Sequence, residues 1–191
     1  MERYLGFPLM NPFRSHVPHG FYHPEKGHTG IDLDVPEGTE ISLSFPTTLA
    51  QVLFHDQMGI TAYLLDPDGN VLIFAHLSKV LKADGKGINP GEVFALSGNT
   101  GTATTGPHVH FEIISKTPDP DQEVMTRSLG GYSGYNINPA DYLQRLEAQE
   151  PHWAAEAMQW AKEKGLIEKD HQPNDFVRWG ELVMVLRRKN V

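Results

Sequence analysis

The chain has 191 residues, 39% hydrophobic and 21% charged, enough for a core of ordinary size and too apolar for an intrinsically disordered segment. Lys+Arg 16 against Asp+Glu 24 leaves a net charge of −8, which argues against a nucleic-acid footprint and gives no electrostatic pull toward an anionic wall or membrane. Cysteine is absent, so disulfides and thiolate metal sites are excluded, and a transition-metal site would have to use histidine and carboxylate.

Residues 1–27 hold Pro8, Pro12, Pro18 and Pro24 among scattered histidines and predict irregular structure. Met1-Glu2-Arg3-Tyr4-Leu5 has neither the basic region nor the apolar run of a secretion signal, which predicts synthesis in the cytoplasm and delivery to any external target by another route. No apolar run approaches the roughly 18 residues that span a bilayer, so no membrane partner is expected. From Thr29 onward the pattern turns to period two. Ile31–Val35 alternates as a half-buried strand does, and further strands are predicted at Glu40–Ser44, Leu49–His55, Ile60–Leu65 and Val71–Ala75. Asp66-Pro67-Asp68-Gly69-Asn70 is a hairpin signal, with Gly and Asn able to supply positive φ.

Two more strands, Val93–Ser97 and His108–Ile114, flank the Gly/Thr-rich loop Gly98–Pro107. Thr117–Tyr135, with Pro118, Pro120 and a Gly130-Gly131 pair, reads as a long surface loop. Asn138 then caps a helix that has Pro139 in its first turn. Many short strands at this spacing predict a mainly β fold, an antiparallel sheet or open barrel. Beyond Pro151 the composition changes, and Trp153, Ala157, Trp160 and Ala161 recur at helical spacing. A second helix is predicted at Trp179–Arg188.

Chemistry concentrates in two motifs, His28-Thr29-Gly30-Ile31-Asp32 and His108-Val109-His110-Phe111-Glu112. Residues two apart on a strand share a face, so His108 and His110 point the same way. Either motif alone also fits a buried polar pair, a turn or a helix cap. In order, however, the chain carries His28-Thr29-Gly30-Ile31-Asp32-Leu33, Phe74-Ala75-His76-Leu77-Ser78, Gly91-Glu92-Val93, Ser97-Gly98-Asn99-Thr100-Gly101 and Thr105-Gly106-Pro107-His108-Val109-His110-Phe111-Glu112. This ordered set, spread over Asn11 to Ile114, closely resembles the lysostaphin-type (LytM-like) zinc endopeptidases that cut peptidoglycan peptides.

The resemblance implies one Zn2+ per chain, with His28, Asp32 and His110 as its ligands. It implies that His76 and His108 are catalytic histidines acting on the attacking water, His108 as general base and His76 as its orienter or as an oxyanion donor. Tyr22, six residues before His28, is the candidate for an upstream tyrosine near the transition-state oxygen, with aromatic packing as the competing role. Asp34 lies two residues past Asp32 and is read as a solvent-exposed strand residue, with a supporting contact to the site as the alternative. Glu112 is read as outward or supporting, not as a base. The related D-Ala-D-Ala peptidases differ in having longer spacing from the first His to the Asp and a catalytic Glu before the last His.

These readings divide the chain into an endopeptidase domain over 1–149, with a motif core at 11–114 and a loop insertion at 115–137, and a small α-helical tail over 150–191. The expected substrate is a stem or cross-bridge peptide of peptidoglycan, cut by a phage-encoded endolysin or tail-associated lysin. The alternative is a non-catalytic member of the same fold that binds wall or activates another hydrolase. In the tail, Trp160–Ile167 and the stretch from Gln172 to Leu182 resemble part of an S-layer homology module. The Thr-Arg-x-Glu wall-binding signature of such modules is present only as Val177-Arg178-Trp179-Gly180-Glu181. The tail is assigned to wall binding or self-association, against simple packing of Trp153, Trp160, Phe176 and Trp179 in a helical pair.

Overall fold

The computed structural model describes residues 2–15, 27–122 and 124–148, with the backbone of 22–23. Contacts divide the chain into two units, Met1–Leu143 and Gln144–Val191, and the elements below belong to the first apart from the end of the helix. The helices and aromatic residues predicted beyond 150 lie outside the described residues.

The chain begins with two short strands, β1 (Arg3–Tyr4) and β2 (Phe7–Asn11), followed by β3 (Tyr22–His23), β4 (Gly27–His28), β5 (Ile31–Leu33) and β6 (Glu40–Ile41). Three long strands come next, β7 (Thr47–His55), β8 (Gly59–Leu65) and β9 (Val71–Leu77), then the short β10 (Lys79–Val80), β11 (Gly87–Ile88) and β12 (Ala95–Leu96). β13 (Val109–Ser115), β14 (Thr126–Leu129), β15 (Tyr132–Ile137) and the helix α1 (Pro139–Ala148) complete the order. The period-two segments thus become strands near where the alternation places them, and the Asp66–Asn70 signal does join β8 to β9. There Asp66 O accepts from Gly69 N–H at 3.0 Å and its Oδ1 from Asn70 N–H at 2.7 Å.

Ten strands form one antiparallel sheet in the order β1-β2-β5-β13-β9-β8-β7-β11, with β14 and β15 off this path. β5 pairs with the first half of β13 (Val109 to Phe111) and β15 with the second half (Ile113 to Ser115), so the two share one edge of the same strand. Register assigns the faces. Phe111 sits opposite Phe74 and Ile31, and Ile113 opposite Leu72, which builds an apolar face from alternate residues of β5, β9 and β13. Phe74 stacks on Phe111 at 4.6 Å between centroids and meets Phe94 edge-on at 5.1 Å. His110, Glu112 and Asp32 alternate onto the other face, beside a second cluster of Met58, Tyr63, Val71, Ile73, Ala75 and Ile114. β9 and β13 are buried along their whole length, because both faces are covered.

Phe111 is wholly buried between Phe74 and the strand that carries Asp32. Phe111→Ala is expected to cost about 3–5 kcal/mol of unfolding free energy in urea titration. A loss below about 1 kcal/mol would mean that this face collapses around the gap.

The long loop expected over 115–137 is corrected by the structure in its second half, where 126–137 form a hairpin. Gly130 (φ 59) and Gly131 (φ 86) both take the left-handed conformation that a two-residue turn of this twist requires. A Cβ on Gly130 would lie 2.5 Å from the Tyr63 ring, so glycine also lets the turn lie against β8. Leu129 and Tyr132 pack on the second apolar cluster, which fixes the hairpin as part of the sheet. The helix start agrees with the sequence: Asn138 Oδ1 accepts from Ala140 N–H at 3.0 Å, and Pro139 opens α1.

Candidate metal centre

Strand register builds the site. On adjacent strands His110 and Asp32 are direct partners, so their side chains leave the same face of the sheet. His28 ends β4 four residues earlier, and its segment is fixed by His28 N–H to Ser15 O at 3.0 Å and Arg14 N–H to His28 O at 2.8 Å. The turn from His28 to Ile31 presses against β13 at Gly30. A Cβ there would lie 2.3 Å from Phe111 O and 2.8 Å from His110 Cε1, so only glycine permits the approach.

His28, Asp32 and His110, all buried, then converge. His28 Nε2 lies 3.0 Å from His110 Nδ1 and 3.2 Å from Asp32 Oδ1, and His110 Nδ1 lies 2.9 Å from the same oxygen. Three donors bound tetrahedrally to zinc would stand about 3.3 Å apart, so small rotations suffice to hold it. The outer atom of each donor is also engaged. His28 Nδ1–H donates to Pro12 O at 3.2 Å, Asn11 Nδ2 to Asp32 Oδ2 at 3.0 Å, and His110 Nε2 faces Glu112 Oε2 at 3.5 Å. Such partners choose the tautomer and so aim the lone pairs inward.

The electrostatics favour a cation. Burial alone would raise the Asp32 pKa, but hydrogen bonds with His110 and His28 override it and hold the carboxyl far below the usual range. Burial alone would lower the His110 pKa, yet Asp32 and Glu112 outweigh it and raise it to about 9. Two carboxylates that stabilise a proton on this ring offer the same attraction to a divalent ion. Nitrogen and carboxylate oxygen, with no sulfur, are a donor set zinc accepts.

His76 and His108 stand beside this triangle, their rings 4.5 Å apart. Regular alternation along β9 would put His76 on the apolar face with Phe74 and Leu72. Instead its φ of 59 breaks the alternation, and its ring comes to 6.3 Å from that of His110. Its Nδ1–H donates to Thr100 O at 2.8 Å, which leaves the lone pair on Nε2. His108 is held alike, with Nδ1 2.9 Å from Gly106 O and 3.3 Å from Thr104 Oγ1, while Nε2 lies 3.8 Å from Asp32 Oδ1.

Burial, opposed by the Thr100 carbonyl, lowers the His76 pKa from 6.5 to about 4. The folded state therefore binds this proton less readily than the unfolded chain. Its contribution to stability is complete above pH 6.5 and is lost as pH falls toward 4. Unfolding midpoints measured across that window are expected to fall less steeply in His76→Gln than in the parent. Parallel curves would contradict a neutral buried His76.

The sequence profile of peptidase family M23 matches residues 26–122, which hold all five of these side chains. The chain belongs to peptidase family M23. An uncharacterized metalloprotease of Haemophilus influenzae is 36% identical over 104 residues, 53% of this chain and 21% of that protein. The peptidoglycan DD-endopeptidase ShyA of Vibrio cholerae is 36% identical over 89 residues, 46% of this chain and 20% of that protein. The chain thus matches about a fifth of the length of these curated relatives, 21% and 20%. Among solved structures, the catalytic domain of a mutant of the prophage-encoded M23 protein EnpA from Enterococcus faecalis shares the fold at TM-score 0.54 and 24% identity, covering 74% of this chain and 95% of that one. The catalytic domain of lysostaphin from Staphylococcus simulans does so at TM-score 0.54 and 20% identity, covering 72% and 92%.

Of the other residues singled out in the sequence, Tyr22 pairs in backbone register with His28, and its side chain lies outside the described residues. Asp34 is exposed, as read from the sequence. Glu112 is not outward but fully buried, in contact with His110. Sequence reasoning missed the carbonyls of Pro12, Thr100 and Gly106, which orient three of the four histidines. No side-chain pattern marks a backbone acceptor.

Proposed function

We propose that this chain is a zinc-dependent endopeptidase of peptidoglycan, with His28, Asp32 and His110 as metal ligands. The observation that carries the reading is the convergence of three buried donors within 4.8 Å of one another, beside two histidines whose Nε2 lone pairs are left for chemistry. Bound there, zinc would polarise the scissile carbonyl and bring the pKa of a water to about 7. His108 takes the proton of the attacking water at Nε2 and returns it to the leaving amine nitrogen. His76 carries no proton on Nε2 while Nδ1–H is engaged by Thr100. It therefore orients the water as an acceptor rather than donating to the oxyanion, which narrows the two roles open from the sequence.

For the bond cut, the likeness to the peptidoglycan DD-endopeptidase ShyA, 36% identical over 89 residues, favours a D,D cross-link between stem peptides over a pentaglycine bridge. Purified sacculi with direct cross-links and others with pentaglycine bridges, digested side by side and read by fragment mass, test this. Uncrosslinked stem peptides released from the first alone are expected. Release from the second alone would overturn the substrate, and release from neither, with zinc bound, would favour the non-catalytic wall-binding alternative. Delivery as a phage-encoded endolysin or tail-associated lysin belongs to the same proposal, and mass spectrometry of purified phage particles tests the virion-associated form.

A further inference from the structure

Glu112 is a carboxylate with no exposure to water, a costly placement unless its oxygens are satisfied. It is satisfied from three directions. Arg127 donates from Nε to Oε1 at 2.6 Å and from Nη2 to Oε2 at 3.3 Å. Thr29 Oγ1 donates to Oε2 at 3.1 Å, and Asn136 Nδ2 reaches Oε1 at 3.2 Å. The same Asn136 amide donates to Thr29 O at 2.8 Å and Ile113 O at 3.2 Å. One buried carboxylate thereby joins the segment bearing His28, the strand bearing His110, and the β14–β15 hairpin. The family match ends at residue 122, so Arg127 and Asn136 are supplied by a part of this chain beyond it.

We propose that the β14–β15 hairpin positions the metal centre, with Arg127 as its principal positioning residue. The inference rests on the reading of His28, Asp32 and His110 as metal ligands. Arg127 holds Glu112 by two parallel hydrogen bonds of the fork type, which fixes the carboxylate in plane as well as in place. Glu112 in turn fixes the His110 ring, so that Nε2 faces the carboxylate and Nδ1, the atom that would bind metal on losing its proton, faces Asp32 and His28. Asn136 ties the opposite side by bridging Glu112 to the backbone next to His28. The hairpin therefore acts on ligand geometry through Glu112 and the Thr29 backbone.

The test is zinc affinity, measured on purified full-length protein by competition with a chromophoric chelator, with folding followed by circular dichroism. Arg127→Met is expected to weaken zinc binding about 10-fold, the lower end of the range for loss of a partner that orients a metal ligand, since it acts through Glu112. Arg127→Lys, which keeps the charge and loses the fork, is expected to recover part of that loss. Glu112→Gln needs no buried counter-cation, so it is expected to stay folded and to weaken zinc about 10-fold. Should Arg127→Met not fold, Glu112→Gln decides the matter. Parental zinc affinity in folded Arg127→Met, or in Glu112→Gln, overturns the proposal. If the parent protein itself binds no zinc, the ligand assignment beneath it fails instead.

Discussion

Asp32→Ala is expected to remove zinc binding and wall-peptide hydrolysis together, the hydrolysis by at least about a thousand-fold. Asp32 is the residue through which the whole centre closes, since its Oδ1 lies 3.2 Å from His28 Nε2, 2.9 Å from His110 Nδ1 and 3.8 Å from His108 Nε2. Without it two imidazoles remain, which bind a divalent ion far more weakly than three donors including a carboxylate. The loss has a signature independent of turnover. A ligand that binds only the folded state stabilises by mass action, about 2.7 kcal/mol at a hundred times its dissociation constant. Added zinc should therefore raise the melting temperature of the parent and leave that of Asp32→Ala unchanged. Equal thermal shifts in both would remove Asp32 from the ligand set.

His108→Ala separates binding from chemistry. Its Nδ1 is engaged by Gly106 O, and its Nε2 faces the triangle without being one of the three converging donors. The variant should keep one zinc per chain and lose about 100- to 10,000-fold in rate, the range for a positioned general base. The fall is expected in kcat, with KM for soluble cross-linked peptides little changed, because His108 acts on a proton that moves only in the transition state. Full activity in that variant would take His108 out of the mechanism. Loss of zinc along with activity would make it a ligand.

Much of this site is legible in the chain because strands have period two. His108-Val109-His110 on one face follows from alternation alone, and the runs that became β7, β8, β9 and β13 stand within a few residues of their predicted bounds. What alternation cannot supply is which strands pair, and in what register. That His110 lies opposite Asp32 depends on a chain crossing of 78 residues, set by how Ile31, Phe111 and Phe74 pack behind them. His76 is a sharper case. Period two places it on the apolar face, and a left-handed residue turns it toward the triangle of His28, Asp32 and His110. Strain of that kind is held by its surroundings, here Met58 O and Thr100 O, and leaves no mark in residue type.

The hairpin at β14–β15 had a readable signal in Gly130-Gly131. It is obscured by prolines upstream and by strands that bury few of their residues fully, so their alternation is weak. Glu112 shows the converse limit. Its parity with His110 puts it on the site face, but only the folded structure brings Arg127 and Asn136 to it. Its role as an anchor therefore could not be read ahead of the fold.

The most direct measurement is anomalous X-ray scattering at the zinc edge from crystals of the protein grown with one equivalent of zinc. One strong peak is expected, bounded by His28 Nε2, Asp32 Oδ1 and His110 Nδ1, at about 2.0–2.2 Å from each. A peak held by other side chains, or none at this triangle in crystals shown by fluorescence to contain zinc, would contradict it.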